Sequence, residues 1–172
     1  AVLNKLRPVY RAAGDFDKAS ESYQRALAIN EKLFGHEALS VAFILNNLGF
    51  LYYAKGEYAR AEEPYLRALA IRKKQLGSDN MDVATLMNNL ALLFRVKGDY
   101  ASSIAYFDQA LATAEKALGP EHPSIAIMVS NIASVSMEVG DFSKGQELFD
   151  RALGINEKRL GPLHPNVAIN LN

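Results

Sequence analysis

The chain has 172 residues, of which 49% are hydrophobic and 22% charged, and its 19 basic and 19 acidic residues give a formal net charge of zero. This is the composition of an ordinary folded protein. The balanced charge argues against a dedicated binder of nucleic acid or of an anionic membrane, which would normally carry a basic stripe. No apolar run approaches the roughly 20 residues needed to cross a bilayer. The absence of cysteine excludes disulfides and thiolate chemistry and favours a reducing compartment, so we expect a cytoplasmic protein.

Glycine recurs along the chain at intervals of 42 residues. The first column of this repeat consists of Gly14, Gly56, Gly98 and Gly140. Aromatic, alanine and leucine columns keep the same interval, and such a fixed period indicates a stacked array of one supersecondary unit. We therefore expect a single array, which consists of a partial repeat 1–41, repeats 42–83, 84–125 and 126–167, and the start of a further helix 168–172.

The predicted elements are helices throughout, because no stretch shows sustained period-two alternation. The first, at 1–13, reads as part of a helix A, the shorter helix of each repeat. In the next repeat apolar residues recur at steps of three and four as far as Gly56, which can take the left-handed conformation that closes a helix. A longer helix B ends at Gly77, and the next helix A begins at Val83. The same order recurs until 167–172 opens another helix A.

Polar residues form one column just before the expected starts of helix A. They are Ser40, Asp82, Ser124 and Asn166, and all four are preferred N-cap types. Small residues form two further columns, in which helix A and helix B are expected to approach closely while the aromatic column of helix B fills the remaining space. These small residues are Gly49, Ala91 and Ala133 on helix A, and Ala19, Ala61, Ser103 and Gly145 on helix B.

The two ends of the chain lack the polar capping helix that repeat arrays normally need for solubility. We therefore expect a fragment of a longer array with adhesive terminal faces. The apolar residues exposed there would be Leu3, Leu6, Val167, Ile169 and Leu171. Contact between such faces would allow end-to-end self-association of the fragment.

The repeat resembles a known family. Leu48, Gly49, Tyr52, Ala61, Tyr65 and Ala68 stand at the spacing of the tetratricopeptide repeat. The motifs LNNLGFLYYAKGEYARAEEPYLRALAIRKKQLG and ALGPEHPSIA resemble the long 42-residue variant found in kinesin light chains and in many bacterial repeat proteins. The resemblance covers essentially the whole chain and implies an all-α fold, a right-handed superhelical solenoid of stacked antiparallel helix hairpins. Ser136 and Gly145 depart from the pattern, so we expect the last full repeat to be the loosest.

The candidate binding surface is the face of helix A opposite its packing stripe, which in such a solenoid projects into the concave groove. The candidate groove residues are Asn4, Lys5, Phe43, Asn46, Asn47, Phe50, Tyr53, Asn88, Asn89, Leu92, Arg95 and Asn131. Among them Phe43, Phe50 and Tyr53 would form an aromatic patch, as is typical of binding hot spots. The alternative is that these three rings pack against one another or against a preceding repeat.

Asparagine is roughly 0.6 kcal/mol worse than alanine in a helix interior, so its repeated use along one line requires a reason. An amide can satisfy both N–H and C=O groups and would hold the backbone of an extended peptide. In the resembled family, matching groove asparagines contact bound peptide. Alternatively, the amides bond neighbouring helices and fix the stacking register. We assign Asn46 and Asn88 to peptide contact, and both interpretations stay open for Asn47, Asn89 and Asn131.

Basic residues give the groove a modest positive character. They are Lys5, Arg11 and Arg95, with Glu138 as the nearest opposing charge. The similar kinesin light chains capture acidic peptides with basic groove residues, and Arg95 stands where one such arginine falls. The resemblance therefore implies a weak preference for an acidic ligand.

Enzymatic motifs are absent from the sequence. His36, His122 and His164 lie in turns between repeats, where a histidine suits a cap or a surface contact and where the three cannot converge on one metal. There is no nucleophile elbow, phosphate-binding glycine loop or HExxH motif. We therefore predict no catalytic residues, no metal and no cofactor.

These observations favour a non-catalytic scaffold for protein–protein interaction, which binds a peptide or a partner domain in its concave groove. Neither nucleic acid nor a membrane is an expected partner. The alternative is a sensor or regulatory arm of a larger multidomain enzyme, because bacterial proteins that resemble this one often join such arrays to peptidase, kinase or signalling-ATPase domains. A self-assembling structural module is a third possibility.

Overall fold

The computed structural model describes residues 16–160, with side chains up to Lys158. This part of the chain forms seven helices and no strand. They are α1 (Phe16–Phe34), α2 (Leu39–Lys55), α3 (Tyr58–Leu76), α4 (Met81–Val96), α5 (Tyr100–Leu118), α6 (Pro123–Glu138) and α7 (Phe142–Leu160). The predicted all-α fold is confirmed.

The helices belong to two compact units, the first ending at Gly77 and the second beginning at Ser78. In unit 1, α2 packs against α3 on one side and against α1 on the other. In unit 2, α4 packs against α5 and α6 against α7, and α5 and α6 join these two pairs. Two or three residues connect the helices of each pair α2–α3, α4–α5 and α6–α7, so each pair is an antiparallel hairpin. The predicted helical hairpins are therefore present.

Helix α2 ends where the sequence predicts. Gly56 has φ 82° and ψ 8°, the left-handed conformation that glycine adopts without a steric penalty. Its N–H donates to the Tyr53 carbonyl oxygen at 3.0 Å, and the N–H of Glu57 donates to the Tyr52 carbonyl oxygen at 2.9 Å. These bonds satisfy carbonyl groups that the end of a helix would otherwise leave unpaired. Gly77 ends α3 in the predicted place as well.

The predicted N-cap column is wrong by two residues. Helices α2, α4 and α6 are capped by Ala38, Asn80 and His122, so Ser40, Asp82 and Ser124 lie inside the first turn. Asn80 and His122 accept hydrogen bonds from backbone N–H groups two residues later, at 2.8 and 3.2 Å. These bonds satisfy N–H groups of the first turn, which fixes the earlier start. Asn166 lies outside the described residues.

The small columns lie where helix A and helix B approach most closely, as predicted. A Cβ atom on Gly49 would lie 2.8–2.9 Å from three ring atoms of Tyr65, whose side chain is buried. In the next hairpin, the buried Ser103 hydroxyl donates to the Ala91 carbonyl oxygen at 2.8 Å. Each hairpin thus depends on a side chain small enough to admit its neighbour.

In the last hairpin Gly145 lies close against helix A, and the expectation that this repeat is the loosest stays a prediction. A Cβ atom on Gly145 would lie 2.6 Å from the Met137 sulfur and 3.3 Å from the Ala133 carbonyl oxygen. The flexible Met137 side chain therefore occupies the volume that a larger residue at Gly145 would take. Ser136, which replaces the aromatic residue of the pattern, is also fully buried.

An ion pair that the sequence analysis did not find recurs in each of the three described hairpins, at the end opposite the turn. An acidic residue in the turn before helix A pairs with a lysine near the end of helix B. The pairs are Glu37–Lys74, Asp79–Lys116 and Glu121–Lys158. Their side chains are largely exposed, so each pair stabilises the fold by less than about 1 kcal/mol. The same pair recurs at intervals of 42 residues and joins the start of helix A to the end of helix B.

Replacing Gly49 with alanine should destabilise the fold, because the new methyl group would clash with the buried Tyr65 ring. We expect a loss of about 1–3 kcal/mol in the free energy of unfolding. Gly154 is the matched control, since it lies inside α7 with no atom within 4 Å of an added Cβ. Gly154→Ala should stabilise by about 0.5–1 kcal/mol through helix propensity. Urea unfolding measures both, and equal effects of the two substitutions would contradict the packing argument.

Acid should destabilise unit 1 through its paired carboxylates. A hydrogen bond from Arg67 lowers the pKa of Glu31 below its ordinary 4.5. Hydrogen bonds from Lys55 lower the pKa of Glu57 below 4.5 and that of Asp17 below 3.8. A carboxyl whose pKa is lower in the folded state contributes stability above its ordinary pKa, and this contribution is lost as the pH falls through the folded value.

The free energy of unfolding should therefore fall as the pH is lowered from 7 to about 3. The variant Glu31→Gln should show a weaker dependence over this range, since its side chain does not titrate. Glu21→Gln alters an exposed carboxylate of α1 outside these ion pairs, and serves as the control. An unchanged pH dependence in Glu31→Gln would exclude a contribution from the Glu31–Arg67 pair.

Candidate functional site

The unit 1 face consists of the predicted groove residues of α2, namely Phe43, Asn46, Asn47, Phe50 and Tyr53. Their spacing places them along one side of the helix. The opposite side carries buried residues such as Leu45 and Leu48. Phe43 is 59% exposed, whereas the other four members of the face are partly buried. The packing of α2 therefore fixes the direction of this face and leaves the Phe43 ring open to contact.

The aromatic residues of the unit 1 face differ in their surroundings. The rings of Tyr53 and Tyr58 are 5.6 Å apart and tilted by 56°, so Tyr53 packs across the hairpin onto α3. The alternative stated for these rings was packing against one another or against a preceding repeat, and the Tyr53–Tyr58 contact is neither, because Tyr58 lies in α3 of the same hairpin. More than half of the surface of Phe43 faces solvent.

The unit 2 face consists of Asn88, Asn89, Leu92 and Arg95 of α4 together with Asn131 of α6, and all five are partly buried. The Asn131 amide nitrogen donates to the Asn88 amide oxygen at 3.4 Å. This bond joins two neighbouring A helices, as the structural interpretation of the asparagines requires. It uses one of the four hydrogen bonds that each amide can make, so both amides can also bind a ligand.

Arg95 forms an ion pair with Glu138. Its Nε donates to both carboxylate oxygens, at 3.0 and 3.1 Å, and a terminal NH2 group also donates to Oε1. The side chains of Arg95 and Glu138 are 28% and 36% exposed. The sequence named Glu138 only as the nearest opposing charge. The structure shows a fork of parallel hydrogen bonds, the strongest arrangement open to this pair.

The remaining polar residues of the same columns in unit 2 bond within their own helices. The hydroxyls of Thr85, Ser130 and Ser134 donate to the carbonyl oxygens of Met81, Ala126 and Ser130, at 2.8–2.9 Å. A hydroxyl that donates to its own helix keeps lone pairs to accept a further bond. These positions therefore offer uncharged acceptors along α4 and α6.

Several predicted residues lie outside the described part of the chain. They are the groove candidates Asn4 and Lys5, the basic residue Arg11, and the terminal residues Leu3, Leu6, Val167, Ile169 and Leu171.

Three titratable groups, those of Tyr65, Asp99 and His122, serve packing or capping. Burial raises the pKa of Tyr65 beyond the physiological range. Hydrogen bonds from Ser102 lower the pKa of Asp99, which caps α5. His122 acts as an N-cap, in agreement with the role expected for histidines in these turns. Between residues 16 and 160, no three histidine or carboxylate side chains are grouped so that they could hold a metal ion.

The same range contains no helix that is both long enough and apolar enough to span a membrane.

Two family models described as tetratricopeptide repeat match residues 9–74 and 83–124. Among solved structures, BtubC (BKLC) from P. vanneervenii is 31% identical with a TM-score of 0.81. The alignment covers 93% of this chain and 63% of BtubC, so the chain spans less than two thirds of that relative.

Two crystal structures of a kinesin light chain-like protein from Podosopora anserina, with nearly identical TPR-like repeats, also match. They are 25% and 24% identical, with TM-scores of 0.83 and 0.82, and each alignment covers 98% of this chain and 80% of the other. No curated protein matches at a significant level. The hairpins, the 42-residue period and these matches show an all-α helical-repeat solenoid, and the chain belongs to the tetratricopeptide repeat family, with repeats like those of kinesin light chains.

Proposed function

We propose that the chain is a non-catalytic scaffold that binds a peptide or a partner domain through the exposed faces of its A helices. Tetratricopeptide repeats generally mediate protein–protein interaction, and the fold is generally a non-catalytic scaffold. In the resembled family these faces line the concave groove. The proposal assigns the same use to the unit 1 face and the unit 2 face.

The observation that carries the proposal is the exposure of Phe43. Its neighbours Ala42 and Ile44 are buried, whereas Phe43 exposes 59% of its surface. Burying a phenylalanine side chain is worth about 1.5–3 kcal/mol, a gain that the folded chain leaves largely unused. Aromatic residues surrounded by partly buried polar groups are typical anchors of protein interfaces. Phe43 with the adjacent asparagines has this arrangement.

The rigidity of the face favours binding. The unit 1 face is carried by a regular helix whose opposite side is buried against two neighbours, α1 and α3. A ligand would meet side chains that are already positioned, so the receptor has little conformational entropy to lose. The ordering cost then falls mainly on the ligand.

Asn88 and Asn131 support the second part of the proposal, a row of amides for the backbone of an extended ligand. Their mutual bond orients both amides and leaves donor and acceptor capacity on each. The preference for acidic ligands, by contrast, now depends on Lys5 and Arg11, because Arg95 is paired with Glu138. Both that preference and end-to-end self-association stay predictions that rest on residues outside the described range.

Replacing Phe43 with serine should weaken ligand binding without unfolding the protein, because the ring is mostly exposed. A peptide selected from a random library against the wild-type chain serves as the ligand, and its affinity is measured by calorimetry. Loss of an aromatic anchor costs about 2 kcal/mol or more, which is about a thirtyfold loss of affinity.

Phe34→Ser is the matched control, since Phe34 is 64% exposed at the end of α1 and lies outside the unit 1 face. It should bind as wild type does. Equal affinities of the wild type and both variants would refute the role of Phe43. Circular dichroism checks that the helices persist.

Replacing Asn88 or Asn131 with alanine should lower the affinity for a second peptide, which is selected from the same library against the Phe43→Ser variant, and leave the free energy of unfolding within about 0.5 kcal/mol of the wild type. The bond lost is long, at 3.4 Å, and the helix propensity of alanine compensates for it. A fall in stability of more than about 1 kcal/mol with unchanged affinity would show that the amides serve only the packing of the two helices.

A further inference from the structure

Glu138 binds one edge of the Arg95 guanidinium, which is formed by Nε and a terminal NH2 group. Arg95 lies in the last turn of α4, and Glu138 is the final residue of α6. Arg95 uses its Nε and a terminal NH2 group for the carboxylate, with Nε distances of 3.0 and 3.1 Å. This is the fork with which arginine recognises a carboxylate group in both oxygens at once. A ligand carboxylate would have either to displace Glu138 from this edge or to meet the other guanidinium N–H groups beside the Glu138 charge.

Competition for this edge favours the protein's own carboxylate. Glu138 belongs to the same compact unit as Arg95, so its effective concentration near the guanidinium is far above that of a ligand in solution. A ligand carboxylate would exchange one charge-assisted bond for another of equal strength. The displaced Glu138 would remain close to the new carboxylate, and the two like charges would repel each other.

Apart from Arg95 and Glu138, the groove columns of α4 and α6 contain no charged residue. Asn88, Asn131, Ser130 and Ser134 contribute amides and hydroxyls, and Leu92 contributes an apolar side chain. With Arg95 neutralised by Glu138, the unit 2 face has no net charge. Its polar groups suit the backbone and the uncharged side chains of a peptide.

We propose that Glu138 is a specificity-determining residue, which prevents Arg95 from anchoring acidic side chains and makes the unit 2 face select uncharged peptide segments. This inference rests on the proposed binding function of that face. It reverses, for this arginine, the preference that the family resemblance implied. The charge at Arg95 alone therefore does not identify an anion-binding site in this chain.

The test uses two fluorescein-labelled synthetic peptides of equal length, one of alternating glutamate and leucine and one of alternating glutamine and leucine. Fluorescence anisotropy measures the binding of both to the wild type, E138Q, R95Q and R95Q/E138Q. The wild type should bind the glutamate peptide no more tightly than the glutamine peptide. In E138Q the ratio should shift by about fivefold in favour of the glutamate peptide, the scale of a partly exposed ion pair. In R95Q/E138Q the shift should disappear.

The control variant is E115Q, which removes the same charge from the Arg151–Glu115 pair between α5 and α7. The two pairs have similar exposure, and E115Q should leave the ratio of the two affinities unchanged. A wild-type preference for the glutamate peptide that R95Q abolishes would overturn the proposal. An unchanged ratio in E138Q, including no binding of either peptide, would overturn it as well.

Failure of the proposed specificity is distinguishable from failure of the binding function. The effects of Asn88→Ala and Asn131→Ala on the second library-selected peptide report on binding by the unit 2 face, whereas the E138Q shift in the ratio of the two synthetic peptides reports on the role of Glu138 beside Arg95. Loss of the alanine effects with a normal E138Q shift would refute the amide contacts alone. Alanine effects without an E138Q shift would refute the specificity role of Glu138 alone.

Discussion

The close approach of helix A to helix B is the constraint on which the rest of the structure depends. At Gly49 the Tyr65 ring lies so close that even a methyl group has no room, and at Ser103 a hydroxyl reaches the Ala91 backbone at 2.8 Å. Interiors packed at this density tolerate little change of volume. Each hairpin therefore fixes the rotation of helix A about its own axis, and with it the direction of the opposite face.

Once packing fixes one side of helix A, the other side can vary without cost to the fold. The column that holds Phe43 in unit 1 holds Thr85 and Ile127 in unit 2, and all three side chains are exposed. One scaffold thus presents an aromatic ring, a hydroxyl and an aliphatic chain at equivalent positions. The core places no demand on this column, so its side chains are available for recognition.

The sequence was sufficient for the features that depend on one repeat alone. Glycine at Gly56 and Gly77 marked helix ends, since a residue with positive φ is needed there. The start of α4 was predicted wrongly at Asp82, because Asn80 and Asp82 are both preferred N-cap types and the backbone geometry places Asn80 at the cap. The pairing of Glu138 with Arg95 could not be derived from the repeat columns, since it requires knowing how neighbouring A helices meet.

The two polar contacts between α4 and α6 join residues with the same separation in sequence. This separation differs from the repeat period, so an alignment of the repeats does not pair these residues. Asn88–Asn131 and Arg95–Glu138 are each separated by 43 residues, one more than the repeat period. At these two contacts α4 and α6 therefore meet one residue out of step with the repeat. Column alignment places Met137 opposite Arg95, whereas the 43-residue register brings Glu138 to the guanidinium. The charge that a ligand meets at Arg95 must therefore be judged from the contacts between α4 and α6, because the repeat period alone places Met137, and not Glu138, opposite Arg95.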